Sequence, residues 1–520
     1  MSKNTSVFDV DGKPSIGTSL PLAIQHLLAM IIGNITPCIV VANLNLPDMG
    51  GPLSGADTTL LIQSGLLIAG LATLIQLYPV WKFGARLPMI MGVSFGYIPT
   101  LISIGSAYGI AAMFGAQLVG GITAILVGMF IKPLRKYFPP VVAGTVVLTI
   151  GLSLYTVALG YVGGGNPSKG NLALIEQIQT EVKDSTLTDE LKTNIMKNSF
   201  IKSDVKELVS ESKEMTPEIQ DKLEGSVPYL QKTSFGSVQN WILAAVTLLV
   251  VLVCNQFGKG YFKLANILIG ILAGYAVALA MGMVSFETVT NASRIALPKF
   301  RPFGMAFPIP AVISMVIIYI VNSIQAVGDF TGTTMGGMGR QVTDDELSGG
   351  IMGSGLSSAV SSFFGGLPIA TYSQNVGIVA TTKVVSRFVF AVAAIFMLVA
   401  GLIPKFGGLM TTIPQAVLGG ATITVFGSIT MTGIKVIIED ELSLRNTTIV
   451  GLAIAIGMGI SLVPESLSQF PDWVKIVFGG SAVTIATIIA FVLNIVLPQK
   501  SLADEQAERD ALEASKKSAK

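Results

Sequence analysis

Tyr372, Ser373, Gln374 and Asn375 stand in succession within GGLPIATYSQNVGIVATTK, the stretch from Gly365 to Lys383. Four neutral polar groups in a row offer donors and acceptors without charge, so they suit a planar, uncharged solute rich in N–H and C=O groups. The chemistry is recognition rather than bond making. Two more polar clusters interrupt apolar runs. Asn322, Ser323, Gln325 and Asp329 lie in VISMVIIYIVNSIQAVGDFTGTT, where Gln325 and Asp329, four apart, share one helix face. Asp329 is the one carboxylate placed well inside such a run, and it reads as a cation or proton site or as a cap at the start of the polar GDFTGTTMGG. Gln25 and His26 interrupt LPLAIQHLLAMIIGNI. An ionisable group at membrane depth is costly to keep. His26 therefore reads either as an ion or substrate ligand or as a neutral imidazole bonded to a neighbouring helix.

The elements that must hold these residues are set by composition. The 520 residues are 51% hydrophobic and only 12% charged, against roughly 25% charged for a soluble protein. That composition belongs to an integral membrane protein. With 33 basic and 31 acidic residues, a net charge of +2 gives no global attraction to nucleic acid. A single histidine, no Gly-rich phosphate loop and no Cys/His cluster exclude a nucleotide-driven pump and a metal site. Nothing points to an enzyme or a bound cofactor. Cys38 and Cys254 lie in apolar runs, where small buried hydrophobes are expected.

A span needs about 20 apolar residues, which gives an all-α polytopic membrane protein of about fourteen transmembrane segments. They centre near residues 30, 69, 95, 119, 149, 245, 274, 318, 358, 376, 395, 424, 453 and 486. Two of them, at 86–103 and 365–383, are broken by Gly and Pro. Non-helical backbone at membrane depth must be met by protein or by a water-filled cavity. The broken pair therefore marks a cavity. Ser354, Ser357, Ser358, Ser361 and Ser362 in the ninth segment read mostly as small residues that let helices pack closely.

The two breaks resemble each other. LPMIMGVSFG from Leu87 and LPIATYSQNVG from Leu367 put Ser94 and Phe95 in the places that Gln374 and Asn375 hold after the proline. Two halves of seven segments have to be inverted relative to each other, and inverted repeats with matched broken segments point to a secondary transporter with a midplane site. The expected organisation is a cytoplasmic N-terminus at 1–16, a first repeat over 17–160 and 237–285, a second repeat over 303–497 and a cytoplasmic tail at 498–520. Between the parts of the first repeat, residues 162–236 form a polar insert read as amphipathic helices on the extracellular side. Short loops assigned to the cytoplasm hold roughly twelve basic residues, among them Lys132, Arg135 and Lys136, against roughly five opposite. Both ends are thus expected inside the cytoplasmic membrane.

Gln374, Asn375, Gly377, Thr382 and Lys383 reproduce the pattern Q-N-x-G-x-x-x-x-T-K. With the Gln25-His26 pair, FPPVVAGTVVLTIGLSL from Phe138 and AVGDFTGTT from Ala326, the chain resembles the nucleobase-ascorbate transporter family (nucleobase-cation symporter 2) and looks like its bacterial xanthine and uric acid permeases. The resemblance is expected to cover the membrane part and not the insert or the tail. It implies a seven-plus-seven inverted repeat, core and gate domains, a homodimer and elevator-like movement. It also implies that Gln374 pairs with a purine edge, that Asn375 supports it, and that Phe95 stacks on the base beside the Ser94 backbone. Gln325 stands where the family usually has a substrate-binding glutamate, and Ser354 where many members have an aspartate. These departures leave coupling by H+ or Na+ to Asp329 or His26.

The function expected is import of a purine nucleobase of the xanthine or uric acid type by cation symport. Three other readings fit the same residues: a carrier of uracil or another nucleobase, an uncoupled facilitator, and a non-transporting purine-binding membrane sensor.

Overall fold

The computed structural model describes residues 6–134, 137–479 and 481–518; Arg135 and Lys136, counted above toward orientation, lie outside them. Helices α1 (Ile16–Ala42) and α2 (Gly55–Leu77) lead into a three-residue strand, β1 (Met91–Val93), and then α3 (Ile98–Tyr108), α4 (Ile110–Met129) and α5 (Pro140–Val162). After the insert come α6 (Val238–Phe257), α7 (Asn266–Ala280), α8 (Ile309–Thr333) and α9 (Asp344–Phe363). A second strand, β2 (Ile369–Thr371), leads into α10 (Ser373–Thr382), followed by α11 (Arg387–Gly401), α12 (Gln415–Ile437), α13 (Leu444–Leu462) and α14 (Ala482–Val496).

Eight of these helices are long and apolar enough to cross a membrane, or nine if α11 and the short helix Pro404–Thr411, bent by 81° from it, are one span. The expected count of fourteen exceeds that set. Both α7 and α14 are 15 residues long. The Gly- and Ser-rich α9 opens with Asp344, Asp345 and Glu346. The strand-containing segments supply only half-helices, as their glycines and prolines require.

Two groups of helices pack chiefly among themselves. One contains α1, α2, α4, α8, α9 and α11, with both strands; the other contains α5, α6, α7, α12, α13 and α14. Their meeting surface includes the turn after β1, which touches both α5 and α8.

The strands pair antiparallel, with Met91 opposite Thr371, Gly92 opposite Ala370 and Val93 opposite Ile369. Bonds from Tyr372 N to Ile90 O (3.1 Å) and from Ser94 N to Pro368 O (3.2 Å) extend the ladder at both ends. A two-stranded ladder leaves its outer edges bare, and buried edges must find partners. Side chains provide them. Thr73 Oγ1 of α2 accepts from Met91 N at 3.0 Å, Asn34 Oδ1 of α1 accepts from Val93 N at 2.7 Å, and Ser358 Oγ of α9 accepts from Ile369 N at 3.0 Å. Ser361 Oγ donates to Leu367 O at 2.9 Å. The serines of α9 therefore do more than permit close packing: Ser358 and Ser361 meet the backbone that the break exposes.

The register also corrects the repeat. β1 starts three residues after Pro88, whereas β2 starts one residue after Pro368. Aligned by strand, Gly96 and Tyr97 take the places of Gln374 and Asn375, because the first copy carries a longer lead-in through Met89 and Ile90.

Close approach at the ladder depends on glycine. A methyl group on Gly92 would stand 2.7 Å from the Tyr372 ring and 2.6 Å from Asn34 Oδ1, both buried. Overpacking of this kind costs about 1–3 kcal/mol. Gly92→Ala is expected to lower the melting temperature of the detergent-solubilised protein by several degrees, and an unchanged melting curve would show that the ladder has room to adjust.

At the other end of α10, Lys383 takes a left-handed backbone (φ 58°) and its Nζ donates to Gly336 O at 2.5 Å, below α8. Residues 7–12 lie along the chain that follows. Val385 N and Ser386 N donate to Val7 O at 3.0 and 3.1 Å, Arg387 N donates to Val10 O at 3.0 Å, and Ser386 Oγ donates to Gly12 O at 2.7 Å. Asp11 and Arg387 form an ion pair.

The insert is helical over Asn171–Lys183, Asp189–Lys197, Ser203–Glu211 and Pro217–Thr233. Apolar residues recur at helical spacing and bury Ile178, Leu191, Val209 and Leu223 in a core separate from that of the other helices.

Candidate functional site

Of the residues singled out by sequence, Asp329 and His26 bond to the start of the second half-helix, whereas Gln325 faces a crevice away from both broken segments. Asp329, buried on α8, accepts from Thr371 Oγ1 at 2.5 Å and from Ser373 Oγ at 2.7 Å. One carboxylate thus spans the junction between β2 and α10, gripping the residues on either side of Tyr372. Thr371 was not singled out in the sequence. Its signal was its place two residues before Ser373, on the same side of an extended chain.

Gln374 follows in the first turn of α10. It is exposed, and its side chain makes no hydrogen bond among the described residues. Asn375, beside it, is 1% exposed, and its Nδ2 donates to His26 Nδ1 at 3.0 Å and to His26 O at 3.3 Å. With the amide as donor, Nδ1 is the accepting nitrogen of a neutral ring. The His26 ring packs on Phe390 with centroids 4.3 Å apart. His26 is therefore a helix-to-helix tie between α1 and α10. The start of α10 is held on one side by Asp329 and on the other by His26, with the Gln374 amide left unengaged between them.

In the first broken segment, Ser94 Oγ accepts from Gly96 N at 3.1 Å and caps the turn. Phe95 is 7% exposed and sets its ring at 78° to that of Phe426 on α12, with centroids 5.1 Å apart. Gln325 is half-buried on α8 and faces a small crevice against Phe138, Val146 and Val147; its Oε1 is buried without a hydrogen-bond partner. A second crevice lies between β2, α4, α8 and α9, lined in part by Tyr97, Asn322, Ser354 and Thr371. Ser354 Oγ donates to Gly350 O at 3.0 Å and accepts from Gln76 Nε2 at 3.4 Å. Neither crevice is lined by Lys or Arg. The described residues contain no cluster of His, Cys, Asp and Glu that could hold a metal ion.

The arrangement offers amides, hydroxyls and an aromatic ring at the meeting surface of two helix groups. It can bind a flat polar heterocycle; among the described residues the one buried carboxylate near it, Asp329, is bonded to two hydroxyls.

A family model described as a permease family matches residues 17–203 and 215–466. The match runs through most of the insert, which was expected to lie outside the resemblance. The chain is 31% identical to the uric acid permease PucJ of Bacillus subtilis, over 95% of this chain and 96% of that one. It is 30% identical to the xanthine permease of the same organism, over 97% and 99% of the two chains. Its identity to the xanthine permease XanP of Escherichia coli K12 is 28%, over 95% and 94%. Among solved structures, the transmembrane domain of a cyanobacterium bicarbonate transporter, BicA, has a TM-score of 0.51 at 13% identity, covering 92% of this chain and 97% of that one. The murine Slc26a9 anion transporter in the inward-facing state also has a TM-score of 0.51, at 12% identity, covering 92% and 69%. These two likenesses are of fold alone.

Proposed function

The chain belongs to the nucleobase-ascorbate transporter family, and with that as premise we propose that this multi-pass permease imports a purine nucleobase, of the xanthine or uric acid type, across the cytoplasmic membrane. The observation that carries the reading is the unengaged Gln374 amide at the start of a half-helix held from both sides. A Gln side chain presents one acceptor and paired donors, which suits adjacent N–H and C=O groups on a base. Half-helix N-termini turned toward a midplane site add free N–H groups and positive dipole ends.

In this reading fourteen segments form a seven-plus-seven inverted repeat, with both termini inside. The group containing α1, α2, α4, α8, α9 and α11, with the two broken segments, is the core domain. The group containing α5, α6, α7, α12, α13 and α14 is the gate. The core slides against the gate as an elevator, two copies form a homodimer, and H+ or Na+ supplies the driving force. One charge falling through 100 mV releases about 2.3 kcal/mol, enough for a tens-fold accumulation.

Counterflow in proteoliposomes tests the proposal. Labelled xanthine is expected to exchange saturably across the bilayer. Binding without exchange would replace the carrier by a purine-binding sensor, and preference for uracil would replace the purine.

Gln325 and Ser354 favour a second reading, facilitated diffusion without a coupled cation, since neither side chain carries a titrating proton. Gln325→Glu is expected to introduce or steepen a dependence of uptake on pH between about pH 5 and 8. An unchanged pH profile would separate position 325 from coupling.

A further inference from the structure

We infer that Asn322 is a specificity-determining residue of the proposed site, donating a hydrogen bond from Nδ2 to a ring carbonyl of the substrate. The inference rests on the purine-carrier reading above and extends it to a residue with no assigned role. Asn322 is 4% exposed, and its Nδ2 has no hydrogen-bond partner in the protein. A buried donor without a partner is costly, and in native proteins such groups are few. This one has a defined place. A methyl group on Gly96 would stand 2.6 Å from Asn322 Nδ2, so the amide lies against the turn that follows Phe95. The same side chain lines the crevice shared with Tyr97 and Thr371, between the two broken segments.

Polarity supplies the chemistry. Asn322 and Gln325 lie three residues apart on α8 but line separate crevices, Gln325 against Phe138 and Val147 and Asn322 against Tyr97 and Thr371. Asn322 leaves a fully buried donor unmatched, its Nδ2. An unmatched buried donor complements a ring carbonyl, which an oxopurine presents. Asp329 lies about two turns along α8 from Asn322 and is bonded instead to Thr371 and Ser373.

A site built to bond a polar group rejects analogues lacking it, since its own group is then left unpaired. Removing that group from the protein should remove the discrimination. The full-length chain in proteoliposomes is assayed for uptake of labelled xanthine in competition with hypoxanthine, which lacks the 2-carbonyl, and with 2-hydroxypurine, which lacks the 6-carbonyl. In Asn322→Leu the preference for xanthine over one of these two is expected to collapse by about tenfold or more, with a raised KM and a maximal rate close to the starting value. Asn322→Asp, which keeps the shape and puts an acceptor where the donor was, is expected to weaken xanthine further. Asn322→Ser, which retains a small donor, should recover part of the preference, and it carries the test if the leucine variant does not reach the membrane.

Unchanged preference against both analogues in Asn322→Leu, or in Asn322→Ser if leucine is not tolerated, would overturn the inference. So would a fall in maximal rate with KM and preference intact, which marks a packing role. If the unsubstituted chain exchanges no purine at all, the carrier reading itself falls and takes this assignment with it; exchange with an unaltered preference removes only the assignment.

Discussion

Xanthine uptake is expected to fall by at least about 100-fold when Gln374 is replaced by alanine, with the amount of protein in the membrane unchanged. Gln374 is exposed and bonds to nothing in the protein among the described residues, so its removal leaves no buried partner stranded and no cavity in the core. The loss is thus confined to what the amide does for the substrate. Its neighbours are different. Asn375 and Ser373 are tied to His26 and Asp329, and truncating either disturbs the half-helix as well as the pocket. Uptake by Gln374→Ala within a factor of a few of the starting protein would remove this residue from the site. A low membrane level of the variant would mean instead that the side chain serves folding.

The second large effect is expected at Asp329. Asp329→Asn should bring accumulation against a gradient close to equilibrium while counterflow exchange persists within a few-fold. Among the described residues the carboxylate is the acidic group bonded at the junction of β2 and α10, and Asn can still accept one of the two hydroxyl bonds it now receives. Neutralising it therefore removes charge while leaving much of the grip. Equal loss of accumulation and exchange would make Asp329 a brace for α10 rather than a coupling group. Thr371→Val, which deletes one donor at nearly constant shape, provides the control: it should weaken accumulation and exchange together.

Much of this site was legible in the sequence because the signals are local. Gly365, Gly366 and Pro368 break the segment wherever the chain goes, and four polar residues in succession stand out in an apolar run. What could not be read was the identity of the distant partners. Nothing near Met91 or Ile369 reveals that Thr73 and Ser358 meet their backbone, because a serine in a small-residue helix reads the same whether it packs or bonds. The slip between the two copies was hidden for a related reason: a shared LP anchors the eye at the proline, while pairing is fixed by the strands beyond it. The span count met a different limit. Hydropathy measures length and apolarity, whereas α9 is largely covered by protein and tolerates a polar composition, and the half-helices are too short to score as spans.

Residues 7–12 have a practical consequence for anyone purifying or labelling this permease. They run beside Val385–Arg387, just past the half-helix that bears Gln374, so a bulky fusion at the amino end is expected to strain that half-helix. Transport constants measured on an amino-terminal fusion would describe the handle as much as the carrier.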